Sequence, residues 1–197
     1  DAAVDALVLL AAREAAPDLL KFLGHESSWV RIEAARVLGM LKVKGATAPL
    51  LKLLGDRSDD VRRDAIRALA RLEAREAIPE IQERLDDLEG RVRASAAEAL
   101  ADLGVTEAVT SIRPLLHDSD PFVRGAAADV LGRMGDRESM PALRALLQGQ
   151  PAVVRIATAS ALCVLGSREG AEALLEERKA LLIYGREEKM KPMSLMH

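Results

Sequence analysis

Aromatic residues are almost missing from this chain of 197 residues, which holds two Phe, one Trp and one Tyr. So few rings cannot build the stacking platforms that single-stranded nucleic acid needs. The core must therefore be closed by alanine and leucine, which suits closely spaced helices. Cysteine occurs once, at Cys163, so no intrachain disulfide is possible, and a reducing, cytoplasmic compartment is expected. The three histidines, His25, His117 and His197, are scattered, and His25-Glu26 is the single His-Glu pair. No Ser-His-Asp set, glycine-rich phosphate loop or Cys-His cluster is present, so a non-enzymatic protein without cofactor or metal is expected. Neither sign of charge dominates. A formal net charge of −3 gives no global field to attract nucleic acid or an anionic membrane. There is no run of 18 apolar residues and no secretory leader pattern, so no membrane association is expected.

What the chain does have is period. Val30, Val61, Val92, Val123 and Val154 are each followed by arginine and lie 31 residues apart. Such strict register marks one supersecondary unit repeated along the chain. The fifth position of the unit is Ala34, Ala65, Ala96, Ala127 and then Thr158. The ninth is Leu38, Leu69, Leu100, Leu131 and Leu162, and the twelfth is Leu41, Leu72, Leu103, Met134 and Leu165. Apolar residues so spaced form the buried stripe of a helix, called A. Gly104, Gly135 and Gly166 follow it, where a helix ends in a left-handed residue. Asp120 is the expected N-cap of one helix A, with Pro121 at its first position and Ser27 and Ser58 in the same column as Asp120.

A second stripe, helix B, runs through Leu50, Ile81, Ile112, Leu143 and Leu174, with Leu54, Leu85, Leu116 and Leu147 one turn on. Glu76, Glu107, Glu138 and Glu169 stand near its start, and Pro79 and Pro141 fall in its first turn. Two amphipathic helices cannot bury their apolar faces alone, so each unit must stack on its neighbours. The full repeats are residues 30–60, 61–91, 92–122, 123–153 and 154–184. Residues 1–29 fit the same frame as a partial first repeat, opening part-way into a helix A, which reads as a piece of a longer array. Residues 185–197 leave the pattern and read as a C-terminal tail.

The Val-Arg opening, the small residues inside helix A, the Leu-Gly close and the Asp-rich turn resemble HEAT repeats. They are most similar to the short bacterial variety first noted in phycobilisome bilin lyases. The stretch from Asp118 through Gly135 carries the resemblance best, and it extends over residues 1–184. It implies an all-α fold, a right-handed α-solenoid of about six two-helix repeats, with helix B lining a concave side. It implies a binding scaffold more than a chemistry. The related deoxyhypusine hydroxylases hold iron on repeated His-Glu pairs, a pattern that His25-Glu26 alone does not make.

Three surface features compete for function. Arg31, Arg62, Arg93, Arg124 and Arg155 form a ladder. Because acidic turns precede them, they are expected to bond carboxylates of their own turn and of the adjacent repeat, fixing the stack rather than binding a polyanion. Arg63, Arg67, Arg71 and Arg75 form a basic row on the outer side of one helix A, answered by Glu98, Asp102 and Asp129. Trp29, Phe22, Phe122 and Tyr184 are mostly expected to pack between repeats.

The third feature is the polar face of helix B, where the columns change from repeat to repeat while the core columns stay constant. Lys52, Gln82, Glu83, Asp86, Arg113, His117, Arg144 and Gln148 are the candidate protein-binding residues. The expected function is a non-catalytic scaffold for a peptide or protein partner, as a monomer or part of a larger chain. Its rivals are a bilin-lyase-like chaperone subunit and a nucleic-acid-binding protein.

Overall fold

The computed structural model of the chain describes residues 15–190, with side chains through residue 179. Two compact units divide it, Asp1–Leu115 and Leu116–His197. The first contains α1 (Ala16–Phe22), α2 (Ser28–Met40), α3 (Thr47–Leu53), α4 (Asp59–Arg71), α5 (Ile78–Glu83), α6 (Gly90–Asp102) and α7 (Val109–Ile112). The second contains α8 (Pro121–Arg133), α9 (Met140–Ala145), α10 (Ala152–Val164) and α11 (Arg168–Met190). There is no strand among the described residues. The fold is an all-α repeat solenoid. The expected first helix A falls in residues 1–14 and lies outside the described residues.

The A helices are α2, α4, α6, α8 and α10, each of 13 residues, and their first residues fall 31 apart. Local chemistry explains both ends. At the start of α8 the Asp120 carboxylate accepts the Phe122 N–H at 2.8 Å, and Pro121 takes the first position, where no N–H is needed. Ser27 and Ser58 hold the same extended N-cap backbone, but their hydroxyls make no capping bond. At the far end the residue after the cap turns left-handed. Gly104, Gly135 and Gly166 do so with φ of 68°, 74° and 84°.

In the first two repeats the same turn is made without glycine, by Lys42 (φ 51°) and Glu73 (φ 56°), which are joined by an ion pair of 2.7 Å. The following N–H reaches five residues back in every case, from Val43 to Leu38 O (3.1 Å) through Ser167 to Leu162 O (2.8 Å). That is the Schellman closure, and it sets where each helix B must begin. A one-turn 3-10 segment holding Glu76, Glu107 or Glu138 leads into α5, α7 and α9.

Most of the expected core columns are the core, with Val30, Met134, Leu147 and Leu174 only half-buried. In the first unit Leu38, Leu69, Leu100, Leu50, Ile81 and Ile112 are all fully buried, as are Leu131, Leu162 and Leu143 in the second. There α2 packs on α4 and α4 on α6, while in the second unit α8 packs on α10 and α10 on α11. Small residues permit the approach. A Cβ on Gly39 would stand 2.8 Å from Ala68 Cα, and one on Gly132 would stand 2.7 Å from Ala161 Cα. Thr158, the departure from the alanine column, is fully buried with a hydroxyl that finds no partner. The last helix B, α11, runs to Met190, so the first residues of the expected tail, from 185, are helical. No helix among the described residues is long and apolar enough to cross a membrane.

Candidate interaction surface

The turns from helix B to the next helix A carry the arginine ladder. Arg31 Nε and Nη2 donate to the two Asp56 oxygens at 2.8 Å each, and Arg62 repeats this on Asp87 at 2.8 and 2.7 Å. The third guanidinium nitrogen serves its own turn through backbone, not through a carboxylate as expected. Arg31 Nη1 bonds the carbonyls of His25 and Glu26, Arg62 Nη1 that of Asp56, and Arg93 Nη1 those of Asp87 and Leu88. The carboxylate of the own turn is occupied otherwise. Asp56 Oδ1 accepts the Ser58 N–H at 2.9 Å and Asp87 Oδ1 the Glu89 N–H at 3.0 Å, each closing its turn.

His25 stands in this aspartate column, and its Nδ1 accepts the Ser27 N–H at 3.0 Å, which accounts for the histidine of the single His-Glu pair. Burial pushes the Asp56 and Asp87 carboxyls up, but the arginine forks and the turn N–H groups outweigh it and hold both below their ordinary value.

In the second unit the ladder changes partner. Gly149 replaces the aspartate, and Arg124 Nε reaches the neutral Gln150 Oε1 at 3.1 Å while its Nη1 bonds the carbonyls of Asp118 and Ser119. Arg155 grips both Glu177 oxygens at 2.5 and 2.9 Å.

Grooves on the helix B side lie at three rungs of the ladder, those of Arg31, Arg62 and Arg155. The first, of 570 Å³, runs between α1 and α3 over Leu20, Leu23, Pro49 and Leu53, with His25, Glu26, Lys52 and Arg57 around it and the Arg31–Asp56 pair as its floor. The second, of 360 Å³, lies one repeat on and is lined by Glu83, Arg84, Asp86, Leu88 and the Arg62–Asp87 pair. There Arg84 takes the column of Leu53, and its guanidinium bonds Leu54 O and Glu83 at 3.2 Å each. A third, of 470 Å³ in the second unit, is lined by Gln148, Arg155, Glu169, Glu172, Glu176 and Glu177.

The candidate residues thus divide among separate grooves. Lys52 lines the first, Glu83 and Asp86 the second, and Gln148 the third. Gln82 and Arg113 are half-buried and His117 is exposed. Arg144 is exposed but spoken for, donating to Glu169 Oε2 at 2.6 Å. Leu53, Arg57 and Arg84 line the first two grooves beside these candidates. Their signal was the column change from Leu53 to Arg84, visible once the repeats are stacked.

Two other expectations are corrected. Trp29 is 69% exposed, Phe122 49% and Phe22 45%, so these rings do not fill the space between repeats. Tyr184 lies beyond the described side chains. The basic row is also not one outward strip. Arg63 turns inward to Asp60 (2.6 Å) and Asp64 (2.8 Å), and Arg75 donates to Leu103 O at 3.1 Å. Arg67 and Arg71 remain exposed, sharing a groove with Glu98 and Asp102 between α4 and α6. Among the described residues no three His, Cys, Asp or Glu side chains gather so as to hold a metal ion.

The chain is similar to several solved solenoids. The complex of CpcE and CpcF of phycocyanin lyase from Nostoc sp. PCC7120 matches with a TM-score of 0.68 and 25% identity, over 80% of this chain and 68% of that one. A designed armadillo repeat protein in complex with the peptide (KR)4 matches with a TM-score of 0.61 and 23% identity, over 81% and 84% of the two chains. Computationally designed armadillo repeat proteins for modular peptide recognition match with a TM-score of 0.56 and 23% identity, over 74% and 80%. No curated protein sequence matches significantly. The pattern of HEAT repeats matches residues 1–70, 47–110 and 78–163, and with its 31-residue period and paired helices the chain belongs to the HEAT-repeat family.

Proposed function

We propose that the protein is a non-catalytic interaction scaffold that takes a peptide or protein partner on its helix B face. The observation that carries this reading is the contrast between columns. Leu38, Leu69 and Leu100 are identical and fully buried, whereas the groove residues around Lys52 change charge and size one repeat later, at Glu83 and Arg84. Side chains that vary on a constant support are what a face fitted to one partner requires. The likeness to a structure that is itself a complex of two proteins supports the same reading.

Affinity capture with the intact chain tests it, using charge reversal of Glu83 and Asp86, and separately of Arg113 and Arg144. The partner should be lost from at least one of these variants while circular dichroism stays unchanged. Loss only on reversal of Arg67 and Arg71, on helix A, would overturn the assignment of the face. A second reading, a bilin-lyase-related chaperone role, is favoured by the likeness to the phycocyanin lyase complex. Mixing the protein with a bilin and finding no change in the visible spectrum would remove it.

A further inference from the structure

The groove between α1 and α3 differs from its counterpart in having bare apolar walls beside its Arg31–Asp56 floor, and uncommitted cations at its rim. Leu23 and Leu53 are buried beneath it, and Leu20 and Pro49 are half-buried at its wall. Its volume of 570 Å³ lies within the ordinary range for an occupied cleft, about 300–1,000 Å³. Lys52 and Arg57 are exposed at its rim, and among the described residues neither has a carboxylate within ion-pair distance. Most arginines nearby are committed: Arg31 to Asp56, Arg36 to Glu33, Arg62 to Asp87 and Arg63 to Asp64. The floor offers no anion site, because Asp56 neutralises Arg31 and four hydrogen bonds to Asp56, His25 O and Glu26 O already occupy its guanidinium. An incoming carboxylate must therefore meet the rim.

From this we propose that the groove seats a short acidic peptide segment of a partner protein, one aliphatic side chain over Leu20 and Leu53 and flanking carboxylates on Lys52 and Arg57. The proposal rests on the scaffold reading above and names the partner's chemistry for one part of that face. Charge complementarity selects an acidic segment, and the apolar walls require an aliphatic side chain within it. A nucleic acid fits worse, for a continuing phosphate backbone would run onto Glu83 and Asp86 of the next groove, and the single aromatic ring of the lining, His25, is tied to its own turn by the Ser27 N–H. The acidic rim of that next groove also limits the segment to about one repeat.

The test is fluorescence anisotropy of the full chain with a short fluorescein-labelled peptide carrying Glu-Glu-Leu-Glu-Leu between Gly-Ser flanks. Saturable binding is expected, weakened at least about tenfold by K52E/R57E, the loss of two charge pairs at an interface. Leu53→Arg, which gives this groove the side chain its neighbour has in Arg84, should weaken binding comparably although it adds a cation. Lys52→Gln with Arg57→Gln, a milder exposed pair, keeps the test valid if the reversal disturbs folding. Equal affinity in all variants, equal binding of the peptide with Lys for Glu, or binding of labelled oligothymidylate that falls with the same variants would each overturn the proposal. Loss of the peptide with Glu83→Lys/Asp86→Lys instead would overturn the groove and leave the scaffold reading standing. Groove variants that abolish peptide binding, with no effect of any helix B variant on captured protein, would support the groove and overturn the scaffold reading.

Discussion

The first and second grooves of the Asp1–Leu115 unit are the same structure one repeat apart, carrying opposite chemistry. Both have an Arg–Asp fork as floor, Arg31–Asp56 in one and Arg62–Asp87 in the other, at nearly identical distances. Around that floor Lys52 becomes Glu83, Leu53 becomes Arg84, Gly55 becomes Asp86 and Arg57 becomes Leu88. The first groove has apolar walls and carries Lys52 and Arg57 with a single carboxylate, Glu26, around it. The other is smaller, acidic above, and filled by an arginine whose buried Nε finds no partner. The lesson is a division of labour: the fork and the leucine columns hold the repeats in register, so the rim is free to change. Stability should follow the shared part and binding the divergent part.

The largest effect tests the shared part. Arg31→Ala and Arg62→Ala each strand a mostly buried aspartate, and each should lower unfolding stability by about 3 kcal/mol in urea titration. Markedly unequal losses would break the equivalence of the two floors. Next comes conversion of the divergent part. Glu83→Lys with Arg84→Leu and Asp86→Gly should create a second seat for the acidic peptide, seen as a site of affinity within about tenfold of the first. A stoichiometry that stays at one would show that more than the rim separates the grooves.

Acid should act alike on both floors. Asp56 and Asp87 have carboxyls lowered in the folded chain, so their stabilisation is complete above the ordinary value of 3.8 and is lost as pH falls below it. Asp56→Asn and Asp87→Asn should each flatten the loss of stability below about pH 4, measured by denaturation across pH. The smallest effect is the control, Arg133→Ala, an exposed pair with Asp129 on α8. It should change stability by under about 0.5 kcal/mol, against about 1–2 kcal/mol for Arg124→Ala, whose fork meets a neutral amide.

Much of this was legible in the residues alone. Leu38 through Leu162 declared the buried stripe, Pro121 and Asp120 a helix start, and Gly104, Gly135 and Gly166 the left-handed ends, because caps and helical faces depend on neighbours a few positions away. Lys42 and Glu73 show the limit of that reading. Nothing local marks them as left-handed, yet they make the same closing turn as the glycines, and an ion pair joins them one repeat apart.

The sequence by itself determined the period, the two-helix unit, the core columns and the presence of an Arg–Asp ladder. Only the tertiary structure decided that the forks bond backbone carbonyls of their own turn, and that Arg124 meets a neutral amide where Arg31 and Arg62 meet a carboxylate. It alone turned Trp29 outward, tied Arg144 to Glu169, and opened a groove at Leu53 that Arg84 closes one repeat later. The physical reason is distance along the chain. Period and capping act over one or two helical turns, whereas these pairings join groups 25 to 31 residues apart, whose separation is set by how closely the alanine and glycine columns let the helices approach.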